Sequence, residues 1–484
     1  TDSHYWRPRH NPWAIALTVT LATFMEVLDT SIANVALPHI GGSLSASQDE
    51  ATWVLTSYLV SNAVILPISA WLATRWGRKR FYMTCVALFG TSSFLCGFAL
   101  NLPMLILFRI IQGAGGGGLA PSEQAILADT FPPQKRGMAF AVYGMAVVVA
   151  PAIGPTIGGW ITYNYSWRWI FYINVPVAIL SLFLTNRLVD DPPYLQKEKE
   201  RSRGIKIDYT GLALIASGIG CLQVVLDKGQ ELDWFASHWI AFFLCSAVVL
   251  LVWWAIWEWH HPMPIVNVRL FKQRNFTMAM IFTFTLGIVL YGTTVVIPQF
   301  LQLLMGYPAV KAGEALAGGG LVMLFMMPIA GALVSRVDPR WMMAFGFAST
   351  SAALYFMASH LSLEMDFTTA FLLRTLQSFG LAFIFLPSNT LAYVGIPREQ
   401  NNQISGMNSF VRNIGGSIGI AVITTFLTRQ TQKHQNYMVE HAITGNPAFD
   451  NMLSGSRSVF SHATSDLSTA TQRAYAQVMS AITG

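Results

Sequence analysis

Thirteen long apolar stretches separated by short polar links constrain this chain more than any other feature. They run near 13–37, 52–73, 82–99, 103–127, 138–161, 168–186, 210–226, 238–258, 277–303, 313–335, 341–359, 367–395 and 404–427. About 20 apolar residues suffice for a helix to cross a bilayer, and in lipid a spanning segment must satisfy its own backbone. Each stretch is therefore expected to be a transmembrane helix, and the Gly and Pro within them are tolerated where helices pack. Composition agrees: 53% of the 484 residues are hydrophobic and 11% charged, against about 25% charged in soluble domains. The expected fold class is an all-α polytopic membrane protein.

The basic residues orient it. With the N-terminus in the cytoplasm, most of the 30 Lys and Arg fall in cytoplasmic segments. These are Arg7 and Arg9; Arg75, Arg78, Lys79 and Arg80; Lys135 and Arg136; Arg187, Lys197, Lys199, Arg201, Arg203 and Lys206; Arg269, Lys272 and Arg274; Arg336 and Arg340; and Arg398. Short outer loops hold only Arg168, Lys228 and Lys311. This asymmetry is the positive-inside pattern. It also explains the net charge of +6 without a nucleic-acid partner. The four cysteines lie in apolar segments without CxxC spacing and read as buried small side chains. There is no cleavable signal peptide, and the start at Thr1 reads as one from which an initiator Met has been removed. After Leu427 the chain is polar to Gly484. Thirteen spans put that segment outside, so either a fourteenth helix is missing or the segment is a true outer tail.

An internal repeat divides the spans. Arg109-x-x-Gln112 in span 4 and Arg374-x-x-Gln377 in span 12 each precede a proline, Pro121 and Pro387. The links after spans 2 and 10 also correspond, so the offset is eight spans where two six-helix halves would give six. Spans 7 and 8 are then an insertion. The expected organisation is 1–12 a cytoplasmic N-terminus, 13–186 an N-terminal half, 187–209 a cytoplasmic linker, 210–258 two inserted helices, 259–427 a C-terminal half with five of its six helices, and 428–484 a polar periplasmic segment. Repeated halves with a site between them near midplane are how secondary transporters are built.

Charges inside spans are the candidate site. Glu26 and Asp29 share a face of span 1, and each costs about 2.5–3.5 kcal/mol at mid-membrane. Both cannot easily ionise side by side, so one is expected to hold an exchangeable proton. Two other readings stand: Asp29 braces helix 1 through Asn34 or a neighbouring helix, and Glu26 selects cations at a cavity wall. Counting along the helices puts Asp29 and Arg109 both roughly 10–12 Å below the outer surface, so Arg109 is the expected partner, as a switchable or a permanent pair. Arg374 with Gln377 has no acid at equal depth and reads as structural or anion-binding. Asn408 and Arg412 either line a cavity or bond neighbouring carbonyls. Asn34, Gln112, Tyr58, Tyr143 and Tyr291 complete the cavity candidates. The run Gly113, Gly115 to Gly118 is not a phosphate loop, lacking the following Gly-Lys-Ser/Thr. It reads as close helix packing. No Walker motif, cofactor motif or metal-ligand set is present, and His260-His261 has no further ligands nearby.

Several motifs then resemble one family. Arg75 with Gly77-Arg78-Lys79-Arg80 resembles the loop between helices 2 and 3 of the major facilitator superfamily, and Arg109-x-x-Gln112-Gly113 its helix-4 motif. Pro151, Gly154, Pro155, Gly158 and Gly159 lie in a stretch similar to its helix-5 antiporter motif, which either bends in alternating access or simply packs closely. Leu28-Asp29-Thr30 through Pro38, Trp167 through Pro176, and Leu226 through Trp234 resemble the fourteen-helix drug/proton antiporters, most nearly the EmrB type. The resemblance covers 13 to about 427. It implies a major facilitator fold, proton-coupled export of lipophilic drugs across the bacterial inner membrane, and a periplasmic adaptor and outer-membrane channel as partners. Ala70 and Thr74 replace the usual Gly and Asp of the second link, which weakens the expected charge relay around Arg75; Glu26 and Glu123 are also departures. A uniporter or importer of the same fold is the alternative, which the helix-5 pattern opposes. An integral-membrane enzyme would need clustered His and is not expected.

Overall fold

The polar links carry the signals that start each helix. Asn11 accepts from the Trp13 amide at the head of α1, Pro12–Ser43. Ser47 and Glu50 form a reciprocal capping box on α2, Gln48–Trp76. Gly77, at φ 92°, then turns the chain directly into α3, Arg78–Gly97, a conformation a side chain would resist. Asn101 caps α4, Leu102–Gly116, and α5 follows at Leu119–Thr130. Next come α6, Pro133–Asn164; α7, Trp169–Tyr172; α8, Asn174–Leu188; α9, Tyr209–Lys228; and α10, His238–His260. Then follow α11, Arg274–Gln299; α12, Ala309–Leu333; α13, Pro339–His360; α14, Phe367–Leu391; α15, Asn401–His441; α16, Pro447–Ala463; and α17, Leu467–Thr483. This computed structural model describes residues 8–196, 200, 208–262, 264–362, 365–442, 446–463 and 467–483. Arg7, Lys197, Lys199, Arg201, Arg203 and Lys206 lie outside the described residues.

Among the described residues twelve helical segments are long and apolar enough to cross a membrane. The difference from thirteen is α3, whose stretch at 82–99 is diluted by Thr84, Thr91, Ser92 and Ser93. Its buried residues include Phe81, Tyr82, Val86 and Phe89. The cysteines also divide: Cys85 and Cys96 are buried, but Cys245 is exposed on α10, whose outer face is Val248, Val249, Val252 and Trp253. The stretch expected as one helix near 103–127 is two, α4 and α5, broken at Gly117 and Gly118.

The glycine run is a packing surface. A Cβ on Gly113 would stand 2.4 Å from the Tyr58 carbonyl oxygen, and one on Gly115 2.8 Å from the Phe89 nitrogen. Their absence seats α4 against α2 and α3. Gly113→Ala should therefore destabilise by about 1–3 kcal/mol, the usual cost of overpacking. Thermal unfolding in detergent would show this as a lowered midpoint, while Gly42→Ala, with nothing within 4 Å, leaves it unchanged. Equal midpoints for the two variants would contradict this packing role.

Helix α6 lies along α12: Gly137 meets Val334, Gly144 meets Met327, Gly320 meets Ala152, and Gly313 meets Thr156. Its other face packs on α1, with Gly154 against Ser31 and Gly158 against Ile32. It continues as one helix through Pro151 and Pro155. Pro155 supplies no amide to the Pro151 carbonyl, and the Ser31 hydroxyl donates to that oxygen instead at 3.3 Å. Helix α9 packs on α10 and α2, and Gln223 of α9 donates to Ser417 of α15 at 3.0 Å.

The chain divides into two compact units, residues 1–420 and 421–484, the division falling inside α15. In the second, α16 and α17 pack together around Phe449 and Val478, so this polar stretch is largely helical.

Candidate functional site

Asp29 of α1 and Arg109 of α4 form an ion pair. Arg109 Nη1 donates to Asp29 Oδ2 at 2.6 Å, and the side chains are 0% and 1% exposed. A buried pair costs less the more of its remaining polar atoms are satisfied, and among the described residues all but Arg109 Nη2 find a partner. Here Asn174 of α8 donates to Asp29 Oδ1 at 2.6 Å and Gln112 of α4 at 3.1 Å. Arg109 Nε donates to the Val54 carbonyl at 3.1 Å, and Nη1 also reaches Gln112 Oε1 at 2.8 Å. The guanidinium lies 4.3 Å from the Tyr58 ring centroid and 5.6 Å from that of Phe171, a cation–π setting. Asn174 also donates to Ser93 at 3.0 Å. One carboxylate thus ties together α1, α4 and α8. Asn34 is exposed and takes no part.

Glu26 is arranged differently. It is half-buried. The Tyr58 hydroxyl donates to its Oε1 at 3.2 Å and Asn62 Nδ2 at 3.0 Å, both from α2. Among the described residues it makes no ion pair; Arg412 and Asp29 are the charges whose fields reach it most strongly. The two carboxyls share a broad face of α1, but the helix turn between them points each at a different neighbour. Asp29 is fully buried and ion-paired, and Glu26 is partly exposed and held by neutral donors.

Further along the bundle, polar side chains join the early helices to the late ones. Gln124 of α5 donates to Ser409 of α15 at 2.8 Å and to the Tyr143 hydroxyl at 3.0 Å. Asn408 donates to Gln124 Oε1 at 2.9 Å and to Asn389 Oδ1 at 2.5 Å, and accepts from Thr283 at 3.0 Å. Arg412 donates to the Tyr143 hydroxyl, with its guanidinium 5.4 Å and 5.7 Å from the rings of Tyr143 and Phe385. Tyr291 lies against Gly416, one turn beyond Arg412 on α15.

Residues 19–420 match the model of the Major Facilitator Superfamily. The chain belongs to this superfamily. It is of the EmrB type: it is 38% identical over 440 residues to the multidrug export protein EmrB of Escherichia coli K12, covering 91% of this chain and 85% of that one. It is 39% identical over 428 residues to the fatty acid resistance protein FarB of Neisseria gonorrhoeae, covering 88% and 83%. The solved structure of the proton:xylose symporter XylE shares its fold, with a TM-score of 0.60 at 15% identity over 89% of this chain and 90% of that one.

The link that resembles the superfamily's loop between helices 2 and 3 is the turn from α2 to α3. Arg78 is buried and ion-paired with Asp129 of α5. It also donates to the Ala125 carbonyl at 3.1 Å and, through Nε, to Asn402 of α15 at 2.7 Å. Asn401 donates to Asp129 Oδ1 at 2.6 Å, and Tyr194 donates to its Oδ2. Burial raises the Tyr194 phenol above its ordinary range, so it remains a donor through the physiological pH window. Thr74, where the superfamily usually has Asp, accepts from Asn402 at 3.2 Å. Around Arg78 the polar contacts are made by Asp129, Tyr194, Asn401 and Asn402. Arg75 stacks over Trp71 at 5.9 Å, and the buried charge is Arg78.

In the late helices Arg374 is buried among neutral partners. It donates to Thr293 at 2.9 Å, Thr294 at 2.9 Å and Gln377 Oε1 at 2.8 Å, and Gln377 in turn donates to Thr293 at 2.7 Å. The repeat of Arg-x-x-Gln is therefore geometric, with threonines of α11 standing where α1 supplies a carboxylate. The sequence reading missed Asn174, Asn62, Gln124, Asp129, Asn389, Asn401 and Asn402. Each is an amide or acid in or beside an apolar span, which is itself the signal.

Proposed function

We propose that this chain exports lipophilic small molecules across the bacterial inner membrane in exchange for protons, by alternating access. Its basic end, carrying Arg78, Lys79 and Arg80, faces the cytoplasm. The observation that carries the reading is the contrast between Asp29, sealed against Arg109, and Glu26, half-buried one turn away and held by neutral donors. A reachable carboxyl without a salt-bridge partner can take a proton from outside and yield it when substrate arrives. Arg412 and Tyr143, joining the two halves beside it, and Tyr58 and Tyr291 offer aromatic surface to a flat apolar substrate. The relatives' names, multidrug export and fatty acid resistance, support lipophilic cargo. The bonds of Arg78, Asp129 and Gln124 to α15 close the cytoplasmic side in this state, and α6 against α12 is the surface along which the halves rock. A periplasmic adaptor and an outer-membrane channel complete the export path.

Reconstitution tests the reading. In proteoliposomes with an imposed pH gradient, ethidium should be driven into the acidic compartment, and collapse of the gradient should stop it. Equal ethidium movement with and without a gradient would overturn proton coupling.

A further inference from the structure

Glu123 of α5 is 0% exposed inside the bundle and has no cation within ion-pair distance among the described residues. Its Oε1 accepts from the Thr20 hydroxyl of α1 at 2.5 Å. Among the described residues its Oε2 closes no hydrogen bond of ordinary geometry, and the Thr23 hydroxyl faces the same carboxyl. The other groups around it are Tyr82 of α3, Tyr143 of α6, Glu26 of α1 and, more weakly, Arg412 of α15. Two of these are neutral phenols and one is another carboxyl. An ionised carboxylate left this way would be a buried charge compensated by one hydroxyl and the weaker field of Arg412, a costly arrangement that a bound proton removes.

Position gives the group a use. Thr20, Thr23 and Glu26 follow at intervals of three on α1, so Thr20 lies about 9 Å from Glu26 toward the basic end. Its neighbour Gln124 bonds directly to Ser409 and Asn408 of α15, and Asp129 at the end of the same short helix bonds to Asn401. Separation of α5 from α15 would break these bonds and bring water to α5. We infer that Glu123 is a second proton-carrying carboxyl of the transport cycle. It is protonated while the basic end is closed, and it releases its proton to that side when α5 and α15 part. The step is a simple proton transfer: the O–H bond of Glu123 breaks, water takes the proton, and the carboxylate is hydrated. This rests on the proton-coupled reading above.

The test is Glu123→Gln, which keeps the acceptor for Thr20. Infrared difference spectra of the purified protein should lose one protonated-carboxyl C=O band. Ethidium binding and gradient-free ethidium exchange should stay within about twofold of wild type, while gradient-driven ethidium transport falls about tenfold or more. An unchanged infrared band, or wild-type gradient-driven transport, overturns the assignment. If Glu123→Gln does not fold, Thr20→Val serves: removing the donor should shift the same band upward in frequency, and an unshifted band overturns the assignment. A wild type that moves no ethidium under a gradient defeats proton coupling itself. A wild type that does, matched by Glu123→Gln, defeats only the role of Glu123.

Discussion

Asp29→Asn is expected to lower stability and abolish gradient-driven transport together. The amide removes the negative charge but leaves Arg109 buried at 0% exposure. Breaking one side of a buried pair in this way costs about 3–5 kcal/mol. The loss should appear as a lowered thermal midpoint in detergent. The charge-neutral double variant Asp29→Asn with Arg109→Gln removes the stranded cation and should regain part of that stability without regaining transport. Stability and function then separate: if Asp29 only bound helices together, the double variant would recover both. Wild-type stability and transport in the single variant would show that neither depends on this charged pair.

Asp129→Asn is expected to open the end of the bundle that carries Arg78. The carboxylate neutralises Arg78 and accepts from Asn401 and Tyr194, so its loss leaves a buried guanidinium facing α15 with only neutral partners. The same range of about 3–5 kcal/mol applies, and parting the helices relieves it by admitting water. A cysteine placed at Ser405, 1% exposed on α15, reports the change in a background lacking the four natural cysteines. A membrane-impermeant maleimide added from the basic side should label it at least about tenfold faster in Asp129→Asn than without that substitution, for a shift of about 1.4 kcal/mol or more. Equal labelling rates would show that this network does not hold the side closed.

Much of the fold could be read from the sequence because lipid leaves so few options. Apolar runs became helices. Counting residues along α1 and α4 placed Asp29 and Arg109 at one depth, and the structure joins them. Counting gives depth but not azimuth. The spacing of Glu26 and Asp29 did not show that one turns to α2 and the other to α4 and α8. Asn174 lies far along the chain from Asp29 and reaches it only through the packing of α8 on α1. Helix α3 was read as one more apolar span, although its serines and threonines lower its hydropathy. The break at Gly117 and Gly118 was hidden because glycine serves close packing and helix ends alike. Glu123 stood out as unusual, but its lack of a counter-charge depends on α1, α3 and α6 meeting around it.

Proton release from the purified protein on addition of ethidium tests the central claim most directly. Wild-type protein in weakly buffered detergent solution should release protons in proportion to bound ethidium, and Glu26→Gln should fold and bind yet release markedly fewer. No release from wild type, or equal release from Glu26→Gln, would contradict the account.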